Sequence, residues 1–171
     1  SDLWFSLGKL VEYVCEHWSE SDASIWEVRS EAKPFLYSRV MCWVALDRAI
    51  RLATKRGLPA PLERWRGQRD AIYKNVFEAF WSAKRESFVQ FSGADALDAS
   101  ALIMPLVRFL SPTDPKWMAT LRAADRTRPR VTFFALATAM TPDAGPPPVG
   151  LLSDNAVAGN ALTSAAARRP D

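Results

Sequence analysis

Apolar residues recur every three or four positions along most of this chain, and this spacing constrains the fold more than any other feature. Two such sets predict helices over about 2–18 and from about 36 to a stop at Gly57. The first set is Leu3, Leu7, Leu10, Val11, Val14 and Trp18, and the second is Leu36, Val40, Trp43, Val44 and Ile50. The pattern predicts an all-α chain.

Proline and aspartate mark where three further helices begin. Pro61 suits the start of a third helix, with an apolar face of Leu62, Trp65, Ile72, Val76 and Phe80. Asp98 is expected to cap a fourth helix, and Asp114-Pro115 a fifth over about 115–125. Pro105 lies inside the fourth pattern and is expected to kink or split it. Residues 88–93 alternate and then turn, which predicts a short extended segment.

Charge and rare residue types exclude several classes of function. The net charge is only +3, with basic residues scattered among acidic ones, so nucleic-acid binding is not expected. No apolar run approaches ~20 residues, so neither a membrane span nor a targeting peptide is expected. His17 is the only histidine, which argues against a zinc site and against a Ser-His or Cys-His nucleophile. A structural role at the surface or in a partly buried position is expected for it.

Cys15 and Cys42 lie in helical patterns without neighbouring metal ligands. Free thiols in a reducing compartment are therefore expected rather than a disulfide. The corresponding expectation for location is the cytoplasm. Because the chain opens on Ser1-Asp2 without an initiating methionine, it is also expected to be a piece of a larger protein.

An aromatic ring, a carboxyl group and a guanidinium lie close together at Trp26, Glu27 and Arg29, between the first two helical patterns. An indole stacks on the face of a pyranose and limits local water access. Limited water favours the protonated carboxyl that a leaving glycosidic oxygen needs. Glu27 is thus a candidate general acid, and Trp26 and Arg29 are candidate substrate-binding residues. For Arg29, an ion pair with Glu27 or Glu31 is the alternative.

Residues 34–49, which follow this loop, resemble the segment after the catalytic acid in glycoside hydrolase family 15, the glucoamylase, glucodextranase and trehalase-like enzymes. Further matches follow in the order of the family, up to about residue 125. They are Trp65-Arg66 with Ile72, residues 88–91, residues 97–102, Pro105-Leu106 with Phe109-Leu110, and Asp114-Pro115 with Thr120.

The resemblance implies an (α/α)6 toroid of paired helices, with residues 1–128 forming part of the catalytic domain. Five helices cannot complete a ring of twelve, so the chain is expected to hold only an arc of that toroid. An arc leaves an apolar helical face uncovered, and such a face favours association with a second copy of the chain.

Residues 129–171 differ in composition from the rest, with half of the 12 prolines, ten alanines and no Trp, Tyr, Glu or Lys. Such low-complexity sequence predicts an irregular tail that is not homologous to the family. A frameshift in a GC-rich gene and a natural truncation or lineage-specific tail are both open explanations.

Inversion at a sugar requires a second carboxylate about 6.5–9.5 Å from the acid, to activate water on the opposite face. In the family this base lies within a Gly-Leu-Leu-Ser-Glu-like stretch, which residues 150–154 resemble with Asp154 in place of Glu. Aspartate is one methylene shorter, and the Asn-Phe-Pro-Gln-Ala-type sequence expected next is missing. We therefore do not assign Asp154 as the base.

Four other residues have an ordinary structural interpretation beside a functional one. Asp22 and Asp47 are candidates to line the cleft or orient arginines, and equally suit helix caps or solvated positions. Trp43 lies on an apolar stripe and is expected in the core rather than beneath a sugar, and Asp98 is expected to act as a helix cap.

Two functions follow as hypotheses. In the first, the parent activity is inverting exo-hydrolysis of an α-glucoside, either an oligoglucan or trehalose, without a metal or organic cofactor; this chain alone is expected to be inactive. In the second, the chain is a catalytically inactive helical remnant that binds sugar or associates with itself.

Overall fold

The computed structural model describes residues 2–24 and 32–127, and these form a helical chain with one small hairpin. Five α-helices appear in order: α1 (Asp2–His17), α2 (Leu36–Arg56), α3 (Leu62–Ala79), α4 (Ile103–Leu106) and α5 (Pro115–Thr127). Strands β1 (Trp81–Ser82) and β2 (Ser87–Phe88) follow α3, and a 3₁₀ turn (Ala99–Leu102) precedes α4. The all-α fold class is confirmed. The boundary at residue 128 and the tail over 129–171 lie outside the described residues and stay predictions.

Helix α2 is the centre of the described structure, because α1 and α3 both pack against it. Of its predicted apolar residues, Leu36, Val40, Trp43 and Ile50 are buried and Val44 is partly buried. The helix ends as predicted at Gly57, whose φ of 61° is left-handed and costs glycine little. The backbone N–H groups of Gly57 and Leu58 both donate to the carbonyl oxygen of Ala53.

Helix α3 begins directly after Pro61 and buries its predicted face on α2. Trp65, Ile72, Val76 and Phe80 are each no more than 1% exposed. Trp43 is also buried, with its ring centroid 5.0 Å from that of Phe109. Its predicted place in the core, rather than beneath a sugar, is confirmed.

The segment after α3 forms an antiparallel hairpin in which Trp81 pairs with Phe88 and Ser82 with Ser87. The extended segment predicted over 88–93 is thus a strand that starts one residue earlier and ends at Phe88. Helix α5 packs on this hairpin, and the hydroxyl of Thr120 accepts a hydrogen bond from the backbone N–H of Phe88 at 3.0 Å. This contact satisfies an amide that is fully buried.

The predicted caps are present. Asp98 Oδ1 accepts from the backbone N–H of Ser100 at 3.1 Å and starts the 3₁₀ turn. The 3₁₀ turn runs directly into the single-turn helix α4, and Pro105 lies inside α4, so the element is short but is not divided at the proline. Asp114 Oδ1 accepts from the backbone N–H groups of Lys116 and Trp117 and starts α5.

Helix α1 forms as predicted but buries only part of its apolar stripe. Val11 and Cys15 are buried, whereas Leu3, Leu7 and Leu10 are 69%, 37% and 64% exposed. The apolar stripe thus predicted the helix, but part of it stays exposed, because no element among residues 2–24 and 32–127 covers that side. No helix in the described part of the chain is both long and apolar enough to cross a bilayer.

We predict that Asp114→Ala lowers the free energy of unfolding by about 0.5–2 kcal/mol, because two N–H groups at the start of α5 lose their acceptor. Urea denaturation measures the change. Asp114→Asn is the matched control, since its amide oxygen still accepts at the cap and its effect should be smaller. Equal losses for the two variants would show that the charge of Asp114, and not its capping oxygen, stabilises the helix.

Candidate functional site

The predicted site residues Trp26, Glu27 and Arg29 lie outside the described residues, within 25–31, so their roles stay predictions. Both ends of this segment are described. The backbones of Asp22 and Lys33 pair as an isolated antiparallel bridge, in which each N–H donates to the other's carbonyl oxygen at 3.0 Å. The two ends of the undescribed segment are therefore close together. In sequence, the candidate acid Glu27 lies between Asp22 and Lys33.

The side chain of Asp22 reinforces the base of this segment. Its Oδ1 accepts from the hydroxyl of Ser38 at 2.8 Å, and also from the backbone N–H of Ser24. Ser38 belongs to the first turn of α2, so the carboxylate ties the start of the loop to that helix. Ser24 has a φ of 59°, a left-handed conformation that is uncommon for a residue other than glycine. Asp22 also lines the cavity described below, and among residues 2–24 and 32–127 no hydrogen bond or ion pair joins it to an arginine.

Asp47 orients arginines instead. It is 4% exposed, and its Oδ2 lies 2.6 Å from Arg48 Nη1 and 2.9 Å from Arg51 Nε. Arg48 also donates to the carbonyl oxygen of Val107 at 3.0 Å and so connects α2 to the segment after α4. The alternative that Asp47 is a solvated surface residue is wrong.

Arg39 is a residue of the site that sequence reasoning missed. It is 3% exposed, and its Nη2 donates to the carbonyl oxygens of Ser19 and Glu20 at 2.8 and 2.9 Å. Its guanidinium carbon lies 5.8 Å from the centroid of the Trp18 ring. Burial lowers the pKa of Arg39, while nearby Cys42 and Asp22 act in the opposite direction. The sequence carried a signal of its burial, because Arg39 lies three residues after Leu36 and four before Trp43 on the apolar side of α2, but no signal of its partners.

These groups surround a cavity of about 530 Å³ between the second half of α1, the turn after it and the first turns of α2. Its lining combines aromatic rings with hydroxyl, carboxylate, imidazole and guanidinium groups. The polar and aromatic lining residues are Tyr13, His17, Trp18, Glu20, Ser21, Asp22, Ser24, Tyr37, Ser38 and Arg39. Rings that stack on a pyranose face, beside groups that bond its hydroxyls, suit a small polyhydroxylated ligand. Because Ser24 lines the cavity and directly precedes the undescribed segment, the candidate acid loop starts at its rim.

His17 has a structural role in the wall of this cavity. Its Nδ1 lies 2.7 Å from Glu20 Oε1, and its ring stacks on Tyr13 at 4.1 Å between centroids. No group of three or more potential metal-ligating His, Cys, Asp or Glu residues occurs among residues 2–24 and 32–127.

Both cysteines are free thiols, as predicted. Burial raises the pKa of Cys15, and the nearby Glu12 carboxylate acts in the same direction. Burial also raises the pKa of Cys42, against the influence of the Arg39 guanidinium. Both thiols are therefore held in the protonated, unreactive form at neutral pH.

Most aromatic rings serve the core and not the cavity. Trp65, Trp117, Phe80 and Phe88 are among the most deeply buried side chains of the described residues. Of the two uses predicted for the many aromatic residues, core packing therefore accounts for the larger share. The base-like stretch at residues 150–154, with Asp154, lies outside the described part of the chain.

Comparison with known proteins identifies the class to which this fold and loop belong. The family model described as glycosyl hydrolases family 15 matches residues 1–138, so the chain belongs to that family. This confirms the resemblance found in the sequence, and the match runs past the boundary predicted at residue 128.

Three individual relatives that are similar to this chain are named trehalases. The chain is 41% identical to the trehalase of Mycobacterium tuberculosis over 142 residues, which are 83% of this chain and 19% of that protein. It is 44% identical to the trehalase of Mycolicibacterium smegmatis over 71% of this chain and 18% of the relative. It is 36% identical to the trehalase of Thermoplasma acidophilum over 71% of this chain and 21% of the relative. The chain thus spans about a fifth of the length of these relatives. No solved structure matches it.

We predict that Arg39→Met lowers the free energy of unfolding by about 1.5–3 kcal/mol, because a charged donor to two carbonyl oxygens is lost. Thermal and urea denaturation measure the change. The control is Arg69→Met, which removes a surface pair with Asp70 and should cost less than about 1 kcal/mol. If the two losses are equal, Arg39 contributes no more than an ordinary surface ion pair.

Proposed function

We propose that this chain is part of a glycosidase that hydrolyses an α-glucosidic bond at a non-reducing end, by single displacement with inversion. Family membership over residues 1–138 carries the proposal. Because several relatives are named trehalases, we take trehalose as the first substrate to test and oligoglucans as the second. We assign this activity to the cytoplasm as part of the same proposal, since Cys15 and Cys42 are free thiols.

In the proposed reaction, the carboxyl group of Glu27 donates a proton to the leaving glycosidic oxygen. The indole of Trp26 limits water around that carboxyl and keeps it protonated, while Arg29 binds sugar hydroxyls. The Asp22–Lys33 bridge supports this arrangement, because it fixes both ends of the segment that holds these three residues. Protonation makes the departing alcohol a better leaving group. It contributes only half of an inverting mechanism.

The other half requires a carboxylate that activates water about 6.5–9.5 Å away, on the opposite side of the sugar. The buried Asp47 is already committed to Arg48 and Arg51. Asp22 accepts from Ser38 and Ser24 at the base of the loop. We therefore propose that the general base lies in a part of the enzyme that this chain does not contain.

A helical module that binds sugar without hydrolysing it is the second candidate. The cavity of about 530 Å³ favours it, because Tyr13, Trp18 and Tyr37 line that space together with polar groups. In this alternative the cavity alone binds the sugar, and Glu27 has no role in proton transfer.

We predict that the purified chain releases little or no glucose from trehalose, maltose or maltooligosaccharides, because it lacks a base. A coupled glucose assay measures release, and the trehalase of Mycobacterium tuberculosis serves as the positive control. Sustained release by the chain alone would place a general base within these 171 residues and contradict the proposed division of the mechanism.

The role of Glu27 is testable in a chimera in which this chain replaces the aligned 142 residues of the Mycobacterium tuberculosis trehalase. We predict that Glu27→Gln lowers kcat for trehalose by about 10²–10⁴-fold, because the leaving oxygen loses its proton donor. Glu31→Gln is the matched control, four residues further along the same segment, and should leave kcat nearly unchanged.

A second substrate separates proton transfer from a merely structural effect. Fluoride departs with little need for protonation, so α-glucosyl fluoride should recover much of the rate that Glu27→Gln loses on trehalose. A variant that stays equally slow on both substrates would have lost its site geometry, not its acid. A Glu27→Gln chimera that hydrolyses trehalose at the full rate would rule out Glu27 as the general acid.

A further inference from the structure

The ten residues between Asp22 and Lys33 include the proposed general acid Glu27, and we call residues 23–32 the acid segment. Glu27 lies five residues after Asp22 and six before Lys33. A chain of that length reaches roughly 20 Å from either end, whereas proton transfer needs the acid within hydrogen-bond distance of its target. What fixes the two ends of the acid segment therefore bears directly on catalysis.

The carboxylate of Asp22 fixes the first end. Its Oδ1 accepts from the hydroxyl of Ser38 at 2.8 Å and from the backbone N–H of Ser24. Ser38 belongs to α2, while Ser24 belongs to the acid segment and lies three residues before Glu27. A single oxygen atom thus joins the acid segment to the most buried helix of the described structure.

A part of the chain that follows the β1–β2 hairpin fixes the second end. The backbones of Phe35 and Phe91 form an isolated antiparallel bridge. Beside this bridge, the N–H of Leu36 donates to the carbonyl oxygen of Gln90 at 2.9 Å. The short stretch between Lys33 and α2 is therefore held by residues that lie more than fifty positions further along the chain.

The core holds this second anchor in place. Phe88 and Val89, which directly precede it, are 0% and 3% exposed. The N–H of Ala94 donates to the carbonyl oxygen of Phe91 at 3.0 Å and closes a tight turn. Gly93 permits that turn, because its φ of 81° costs glycine little.

The ring of Phe91 contacts two residues at the end of the acid segment. It meets the ring of the buried Phe35 edge to face, with 5.8 Å between centroids and an angle of 77°. The Nζ of Lys33 lies 4.4 Å from the centroid of the same ring. The backbone of Lys33 also pairs with that of Asp22. The two anchors therefore meet at Lys33 and form one connected structure.

We propose that Asp22 and Phe91 are positioning residues, which keep Glu27 within reach of the leaving glycosidic oxygen by fixing both ends of the acid segment. The proposal rests on the proposed function, in which Glu27 is the general acid. Neither residue exchanges a proton with the substrate. A misplacement of about 1 Å is enough to slow an enzyme by about 10²-fold, so loss of either anchor should be visible in kcat.

The anchors are tested first in the full 171-residue chain by NMR hydrogen exchange. Asp22→Ala and Phe91→Leu should each raise the exchange rate of the Lys33 N–H, which donates to the carbonyl oxygen of Asp22. Asp22→Asn keeps an acceptor oxygen and Phe91→Tyr keeps the ring, so these matched variants should exchange almost as slowly as the wild type. Urea midpoints verify that each variant is folded. Unchanged exchange in Asp22→Ala and Phe91→Leu would show that neither side chain is an anchor.

Catalysis is tested in the chimera with the trehalase of Mycobacterium tuberculosis. Asp22→Ala and Phe91→Leu should each lower kcat for trehalose by about 10–100-fold with KM nearly unchanged. Both should lose much less on α-glucosyl fluoride, because fluoride departs with little need for a proton from Glu27. Asp22→Asn and Phe91→Tyr should retain most of the activity. Asp114→Ala is the control for lost stability, since it weakens the start of α5 and should leave kcat unchanged.

The double variant tests whether the two residues act on one segment. Independent effects multiply, so two losses of about 30-fold would combine to about 10³-fold. Two anchors of the same segment should give a clearly smaller combined loss, because a segment released at one end has little positioning left to lose. A fully multiplicative loss would overturn the joint role.

The outcomes separate this proposal from the proposed function. If Asp22→Ala and Phe91→Leu are slowed equally on trehalose and on the fluoride, the whole site is damaged and the positioning role is refuted. If both keep full kcat for trehalose while Glu27→Gln is slow, the positioning role fails and the proposed function stands. A Glu27→Gln chimera with full activity would overturn both.

Discussion

The burial of α2 is the constraint on which the rest of the described structure depends. α1 and α3 both pack on this helix and also contact each other, through Trp65 with Trp4 and Glu12, and the 3₁₀ turn also contacts α2. Leu46 is completely buried, and Leu36 and Val40 are each 1% exposed. Because other parts of the protein contact α2 on several sides, the polar side chains that it buries must find partners within the protein. Arg39 and Asp47 are therefore satisfied by carbonyl oxygens and arginines.

This pairing is what connects the fold to the candidate site. Arg39 fixes the turn after α1 through the carbonyl oxygens of Ser19 and Glu20, and Ser38, one residue earlier, binds Asp22. Two adjacent side chains in the first turn of α2 thus fix successive parts of one connection. The Asp22–Lys33 bridge then closes that connection on itself. The two ends of the connection are thus anchored to α2 and to each other beside the cavity.

The sequence predicted those features that depend on local rules. Helices α2, α3 and α5 were predictable because their signals are local. The 3.6-residue apolar period lies within each helix, and Gly57, Pro61 and Asp114 each mark the nearest helix end. The family was predictable because its motifs occur in order. The role of Arg39 was not predictable from the sequence, since its partners lie 19 and 20 residues away and a helical arginine is usually solvated. The exposure of Leu3 and Leu10 was not either, because periodicity identifies an apolar face without indicating whether anything covers it.

Helices α1 and α3 differ in how much of their apolar surface the described residues cover. Each packs one flank on α2, but α3 continues into the β1–β2 hairpin, against which α5 closes, with Phe77 and Phe88 in edge contact. α1 has no such successor on its outer side among the described residues. In a series of paired helices, each helix needs a neighbour on both flanks to bury its full apolar width. Among the described residues, exposed large apolar side chains are therefore concentrated on α1, at Leu3, Phe5, Leu7, Leu10 and Tyr13. The buried core of α2 and α3 and the Asp22–Lys33 bridge form without that side of α1 being covered.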